Sequence, residues 1–201
     1  MSGAAQQPDV SEEDQARAAL YGLITRLFYA APDQAVLGQI LHAEAFAEGD
    51  APVARAWRDL VDASRKAFPV KLEQEHTGLF VGTGKAEVTP YLTHYTIRFA
   101  TDTPLVDLRQ QLGRWGMARK QAAHEPEDHV SGVCEAMRLA IASQHRSLEE
   151  QKNFFERFIY RGGLAFCDAV LASPKAEYYR QVAAFARAFL EIEREAFAIA
   201  E

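Results

Sequence analysis

Apolar residues recur at intervals of three and four along most of the chain, which is the spacing of one face of an α-helix. The first such run follows Ser11 and extends to Phe28. Ser11 is a typical N-cap, and the three acidic residues after it suit the positive end of a helix dipole. Pro32 and Asp33 interrupt the pattern. The pattern therefore predicts a first helix that begins at Ser11 and ends before Pro32.

The same period predicts further helices, separated by prolines and glycines. They are expected at about residues 36–49, 52–69, 70–81, 104–116, 125–141, 147–173 and 178–192. Gly162 and Gly163 fall inside one of them and indicate a close helix contact or a kink. The aromatic residues expected in the core include Phe46, Trp57, Phe68, Phe155 and Phe185. The chain is therefore predicted to be all-α, a single helical bundle of about seven or eight helices.

A long irregular connection interrupts the helices near the middle of the chain. Gly82, Gly84 and Pro90 lie close together there, and such long loops are usually functional or linking. Residues 91–99 could form a short strand, but no second strand is predicted to pair with it, so we expect a loop or a short helix. The expected organisation is a flexible tail at residues 1–10 and an all-helical domain at 11–201, whose two halves would join near 82–103.

Composition narrows the class of protein. The chain has 201 residues, 48% of them apolar, which is enough for a core without metal or disulfide. It has no run of about 20 apolar residues, and its first eight residues resemble no targeting signal. Cys134 and Cys167 stand apart, as expected for free thiols in a reducing cytoplasm. We therefore expect a soluble, cytoplasmic protein with no integral membrane association.

The charge balance bears on partners. Lysine and arginine number 22 against 28 aspartates and glutamates, for a net charge of −6. Nucleic-acid binding requires a concentrated basic face, so nucleic acid is not expected as a partner.

The densest group of chemically active residues is His-Glu-Pro-Glu-Asp-His at 124–129. A zinc-protease motif needs two histidines four residues apart on one helix face. Here the histidines are five apart, and Pro126 would interrupt the helix. A helical metal-dependent enzyme that uses His124, Glu125, Asp128 and His129 is nevertheless kept as the alternative interpretation.

Two other motifs are incomplete. A di-iron bundle needs two Glu-x-x-His pairs, and the chain offers one, Glu73 with His76. Residues 78–86 resemble a phosphate loop, but five residues rather than four separate the glycines, and Ala86 follows the lysine. Neither di-iron chemistry nor nucleotide hydrolysis is therefore expected.

The acidic cluster can also be a simple helix start. Pro126 suits the first turn of a helix, which would place Glu125 near the cap and both Glu127 and Asp128 inside that turn. His129 would then begin the apolar stripe. Carboxylates and an imidazole gathered at one helix end would also accept guanidinium groups through charge-assisted hydrogen bonds.

Two motifs occur together in a familiar order and spacing. Residues 125–129 match a Glu-Pro-x-Asp-His helix start. Residues 79–82, followed by Pro90, Tyr91 and Tyr95, match a Leu-Phe-x-Gly and Pro-Tyr-x-x-x-Tyr pattern. With these motifs the chain resembles the TorD/DmsD-type redox-enzyme-maturation chaperones, a family that includes the NarJ-like chaperones of nitrate reductases.

The resemblance implies a cytoplasmic chaperone without catalytic residues, bound metal or cofactor. Its partner would be the catalytic subunit of a molybdopterin-containing oxidoreductase. Family members bind the N-terminal leader of that subunit, often a twin-arginine signal, and hold it until the cofactor is inserted. The protein would be a monomer or a domain-swapped dimer.

The resemblance also predicts where a peptide binds. The predicted peptide-binding residues are Pro90, Tyr91, Tyr95, Glu125, Pro126, Asp128 and His129. We expect them to line a groove between residues 90–95 and 125–129. The TorD/DmsD branch often has Glu-Ser after Pro-Tyr, whereas Leu92-Thr93 follow here, which implies a client from another branch of the molybdoenzymes.

Overall fold

The computed structural model describes residues 11–43, 49–82, 84–118, 125–144 and 146–199. Its α-helices are α1 Glu12–Tyr29, α2 Gln34–His42, α3 Pro52–Arg65, α4 Pro69–His76, α5 Pro104–Arg114, α6 Val130–Ala142, α7 Leu148–Phe154, α8 Arg161–Ala172 and α9 Tyr178–Ile199. Because a π-helical segment, Phe155–Tyr160, joins α7 to α8 without a break, the described residues form eight long helical rods. The predicted all-α bundle of seven or eight helices is confirmed.

Some predictions fall outside these ranges, namely those on the tail at residues 1–10, on Phe46 and on His124. No helix in the described part of the chain is long and apolar enough to cross a membrane.

Local signals set several helix ends. The Ser11 hydroxyl accepts a hydrogen bond from the Asp14 N–H at 3.1 Å and caps α1 as predicted. The predicted end of α2 near residue 49 is wrong, because α2 ends at His42 and Ala43 takes up extended backbone.

The aromatic core follows the prediction with one exception. Trp57, Phe155 and Phe185 are all buried, as predicted. Phe68 is 65% exposed, so its predicted place in the core is wrong. Pro69 opens α4, and the residue before a proline is disfavoured in helical backbone, so Phe68 leaves the helix and points to solvent.

The two halves of the chain share one core. α1 packs along α6, while α9 packs along both α3 and α8. Phe28 of α1 lies edge-on to Phe80 and Phe166, with ring centroids 5.8 and 4.9 Å away. Tyr179 of α9 lies 5.1 Å from Phe80 and closes this cluster. Elements from both sides of the mid-chain connection therefore bury one another.

A buried ion pair, which the apolar pattern does not predict, joins α1 to α9. Arg17 donates to both carboxylate oxygens of Glu193, at 2.8 and 3.0 Å, and Glu193 is only 2% exposed. The Tyr21 hydroxyl donates to the same carboxylate at 3.0 Å. Three donors thus satisfy a carboxylate that would otherwise be costly to bury.

Two glycines of α8, Gly162 and Gly163, mark close contacts, as predicted. A Cβ atom on Gly162 would lie 2.7 Å from the carbonyl oxygen of Leu92. One on Gly163 would lie 2.8 Å from the Leu190 side chain. α8 therefore supports the mid-chain connection directly, through a position where only glycine fits.

Candidate functional site

Residues 90–95 and 125–130, which are far apart in the sequence, meet in one place. The Leu92 N–H donates to the Asp128 carbonyl at 2.9 Å, and the Val130 N–H donates to the Pro90 carbonyl at 2.8 Å. These bonds make an antiparallel bridge between Tyr91 and His129, the one β-bridge among the described residues. The two motifs of the sequence are therefore parts of a single structure, which we name the motif junction.

Side chains reinforce the motif junction. The Tyr91 hydroxyl donates to Glu125 Oε2 at 2.7 Å, and the Thr93 hydroxyl donates to Asp128 Oδ2. The hydrogen bond to the Glu125 carboxylate, together with partial burial, raises the pKa of Tyr91 to about 12. The Tyr91 phenol therefore stays protonated and keeps donating at neutral pH.

The predicted helix start at Glu125 is wrong. α6 begins at Val130, and His129 is its N-cap, with Nδ1 accepting a hydrogen bond from the Ser131 N–H at 3.2 Å. Pro126 lies in a turn before the helix, where its carbonyl accepts from the His129 N–H. The backbone bonds to Pro90 and Leu92 hold this segment out of helical conformation until His129.

Asp128 and His129 are more buried than an exposed acidic helix start would allow. Asp128 is 4% exposed and His129 is 6% exposed. Burial lowers the pKa of His129, so its imidazole is neutral near pH 7 and can accept the capping hydrogen bond. Both side chains face into the junction, so their direct role there is to hold it together.

The backbones of the two segments are hydrogen-bonded to each other, which leaves no gap between them at Tyr91 and His129. What remains accessible is an outer surface. Glu125 is exposed, Tyr91 and Pro126 are partly exposed, and Glu127 accepts a hydrogen bond from Arg109 of α5 at 3.0 Å. We name Tyr91, Glu125, Pro126 and Glu127 the acidic face.

Tyr95 is separate from the acidic face. Its hydroxyl donates to the Thr89 carbonyl at 2.8 Å, and its ring contacts Phe166 of α8, with centroids 6.4 Å apart. Burial raises the pKa of Tyr95 to about 12. Of the seven predicted site residues, the structure thus gathers six at the motif junction and directs Tyr95 to a neighbouring cavity.

Sequence reasoning missed the role of Thr93. The threonine stands where the related pattern often has serine, and it keeps the hydroxyl that Asp128 accepts. Leu92, at the position where the pattern often has glutamate, is only 1% exposed. The signal was available in the sequence, because threonine can replace serine as a hydroxyl donor.

The candidate metal ligands do not converge in the part of the chain that the structure describes. No three His, Cys, Asp or Glu side chains there lie close enough to hold a metal ion. His76 packs against the aromatic rings of Phe80 and Tyr179. The neighbouring Glu75 accepts hydrogen bonds from backbone N–H groups at the start of α9, including that of Tyr179 at 2.9 Å.

Comparisons with known proteins identify the family of this chain. Residues 47–162, more than half of the chain, match the family model described as nitrate reductase delta subunit. The chain is 25% identical over 120 residues to the chaperone protein TorD of Photobacterium profundum, and the match spans 58% of this chain and 54% of that relative. The chain thus spans about half the length of this curated relative.

A solved structure shares the fold. It is that of a protein from Archaeoglobus fulgidus assigned to redox enzyme maturation, with a TM-score of 0.54 and 20% identity, covering 95% of this chain and 99% of the other. The family match includes both segments of the motif junction. The chain therefore belongs to the nitrate reductase delta subunit family, the TorD-like family that its two motifs resemble.

Proposed function

We propose that this protein is a cytoplasmic chaperone for the maturation of a molybdopterin-containing oxidoreductase, and that it binds the N-terminal leader of the catalytic subunit. Family membership and the name of the Photobacterium relative support the general role. The observation that carries the leader-binding role is the motif junction, which brings the two family motifs together on one surface.

The acidic face offers the chemistry that an arginine-containing leader needs. Carboxylates form short, charge-assisted and often bidentate hydrogen bonds with guanidinium groups. Glu125 is exposed and held beside the Tyr91 ring, which can also receive a cation over its face. In this proposal Glu125 and Tyr91 touch the leader, while Asp128 and His129 position them.

An apolar side chain adjoins this surface. Val106 lies one helical turn before Arg109 on α5, and it is 46% exposed. Since residues three apart share a helix face, Val106 points to the same side as the arginine that holds Glu127. A leader with both arginines and apolar residues would thus find partners of both kinds.

Calorimetry with a synthetic leader peptide tests the proposal. The peptide is taken from the molybdoenzyme encoded nearest to this protein. Glu125→Gln should weaken binding roughly ten- to a hundredfold, because a hydrogen bond to a charged group contributes about 1.5 to 3 kcal/mol. Asp59→Asn, an exposed carboxylate on α3, is the matched control and should bind like the parent protein.

Added salt gives an independent check. Exposed charge pairs are screened, so higher ionic strength should weaken the parent protein more than Glu125→Gln. Equal leader affinity of the parent protein and Glu125→Gln would show that the leader does not bind at the acidic face. No binding of any candidate leader at concentrations well above micromolar would refute the leader-binding function itself.

A further inference from the structure

A second charged surface lies beside Tyr95, and it has the opposite sign to the acidic face. It is an open cavity of about 950 Å³ bounded by the end of the mid-chain connection, the α7–α8 rod and α9. Its charged lining residues are Arg98, Lys152, Glu156, Arg157, Arg161 and Arg194. We name this cavity the basic groove.

The concentration of positive charge is notable because the whole chain carries a net charge of −6. The positive charge is also only partly balanced by neighbouring carboxylates. Arg157 pairs with Asp107 at 2.9 Å, whereas Arg194 donates at 2.6 Å to the neutral hydroxyl of Tyr160. Arg161 is exposed and forms no ion pair or hydrogen bond with a described residue.

A chain of hydrogen bonds holds Arg194 at the groove. The Tyr160 hydroxyl that accepts from Arg194 donates in turn to Glu191 at 3.0 Å. The hydrogen bond from Arg194 to Tyr160 raises the pKa of that arginine, and its guanidinium also lies over the Tyr160 ring. The carboxylates that interact electrostatically with Arg194 are Glu191 and Glu195, both on its own helix.

The spacing of the cations fits an extended polypeptide. Lys152, Arg157 and Arg161 follow one another along a single rod at intervals of five and four residues. At the α-helical rise of about 1.5 Å per residue, which the π-helical segment shortens, the intervals are at most roughly 6 to 7.5 Å. Side chains on one face of an extended chain recur at about 6.6 Å. Carboxylates at every second position of a peptide would therefore meet successive cations.

The geometry is less suited to a compact phosphate group. Phosphate sites in proteins typically use several converging backbone N–H groups, at a helix start or a glycine-rich loop. Here the π-helical segment runs into Arg161 without a break, so this wall is formed by side chains on the flank of a rod. A row of cations at most about 13 Å long favours a row of anions over a single compact one.

We infer that the basic groove binds an acidic, extended segment of the client protein outside its leader. This inference rests on the proposed chaperone function. A basic leader would be repelled by the groove and attracted to the acidic face. The client would thus be held at two points of opposite charge.

Binding of a model peptide tests the inference. The probe is an acetylated (Glu-Ser)6 peptide, and its uncharged counterpart is (Gln-Ser)6. Since the protein as a whole repels an acidic peptide, binding of (Glu-Ser)6 but not (Gln-Ser)6 would point to a local cationic surface. The double variant Arg157→Gln/Arg161→Gln should weaken that binding at least about tenfold.

Matched variants make the test specific. Arg58→Gln/Arg65→Gln removes two exposed cations of α3 that do not line the groove, and it should bind (Glu-Ser)6 like the parent. Arg157→Lys/Arg161→Lys keeps the charge and should retain most of the affinity. Equal losses in the α3 and groove variants, or tighter binding of inorganic tripolyphosphate at the same site, would overturn the inference.

The leader peptide separates this inference from the proposed function. In Arg157→Gln/Arg161→Gln, leader affinity should not fall. If the leader fails to bind the parent while (Glu-Ser)6 binds in the groove, the leader-binding proposal fails and the groove remains an acidic-peptide site. If the leader binds and (Glu-Ser)6 does not, the groove inference alone is refuted.

Discussion

The Asp128 carboxylate illustrates how a motif residue can be structural. It is almost fully buried, and it accepts a hydrogen bond from the Thr93 hydroxyl. Burying a charged group is costly unless it is hydrogen-bonded. The Glu-Pro-x-Asp-His motif therefore depends on a residue of the other segment.

We expect Thr93→Val to lower the free energy of unfolding by about 1 to 3 kcal/mol, because it leaves a buried charged acceptor without this donor. Asp128→Asn should cost less in the Thr93→Val background than in the parent protein. Urea unfolding of the two single variants and the double variant measures this coupling. Thr101→Val, at an exposed threonine, is the control and should be nearly neutral. Additive effects at the two sites would contradict the coupling.

Two histidines should make stability depend on pH. Burial lowers the pKa of His76 and of His129 below the ordinary value of 6.5. Below that value the unfolded chain takes up protons that the folded chain resists. Stability is thus fully present above about pH 6.5 and is lost as the pH falls through the folded pKa values.

Melting temperatures between pH 7.5 and 5 check this expectation. His129→Asn should reduce the loss at acid pH while keeping the N-cap of α6, since asparagine is a good N-cap. His76→Gln should also reduce the loss of stability at acid pH, independently of His129→Asn. The expectation is contradicted if the melting temperature of the parent protein rises on acidification. It is also contradicted if both variants keep the pH profile of the parent, since these histidines would then not control the pH dependence of stability.

At the scale of elements, the contact between α8 and the mid-chain connection depends on Gly162. We expect Gly162→Ala to destabilise the protein, because the new Cβ atom would meet the Leu92 backbone carbonyl, which cannot rotate away. The expected loss is about 1 to 3 kcal/mol, as for other overpacked sites.

Gly113 of α5 provides the matched control. A Cβ atom there would meet nothing within 4 Å, so Gly113→Ala should stabilise by about 0.5 to 1 kcal/mol through helix propensity. Thermal unfolding of both variants tests whether Gly162→Ala lowers and Gly113→Ala raises the melting temperature. A neutral Gly162→Ala would mean that α8 does not pack this closely on the connection.

Helices were largely predictable, whereas their exact ends were not. α1, α5 and α9 begin where capping residues, prolines and apolar periodicity place them. The start of α6 was predicted five residues too early, because no local signal reports the backbone bonds that Leu92 and Val130 make. Two π-helical segments, Thr77–Val81 and Phe155–Tyr160, were also missed, since their residues continue the ordinary helical pattern.

The site was predictable through its motifs but not its geometry. The resemblance identified residues that do meet, yet it implied a groove where the backbones are in direct contact. The basic groove was missed because its cations are spread from Arg98 to Arg194 and converge only in the folded chain. The spacing of residues in the sequence identifies neighbours within one helix, but it does not show which residues of three packed elements come together.

At the scale of the whole molecule, the shared core predicts cooperative unfolding. Trp57 of α3 lies 5.3 Å from Phe185 of α9, which joins the two halves of the chain. Truncation of Trp57, Phe155 or Phe185 to alanine should each cost about 3 to 5 kcal/mol. Phe68→Ala, at an exposed aromatic, should cost far less.

Two probes of unfolding test whether the halves separate. Tryptophan fluorescence and far-ultraviolet circular dichroism should give coincident transitions in urea. Trp57→Ala should shift both midpoints together. Two separated transitions would mean that the chain divides near residues 82–103 into units that unfold independently.

The ion pair between α1 and α9 has a consequence for synthesis on the ribosome. Arg17 is translated 176 residues before its partner Glu193. Phe185, which packs on Trp57 of α3, is also late. The apolar faces of α1 and α3 therefore cannot be fully buried before α9 has been synthesised. Until α9 has left the ribosome, these apolar faces are exposed surfaces through which the new chain can aggregate.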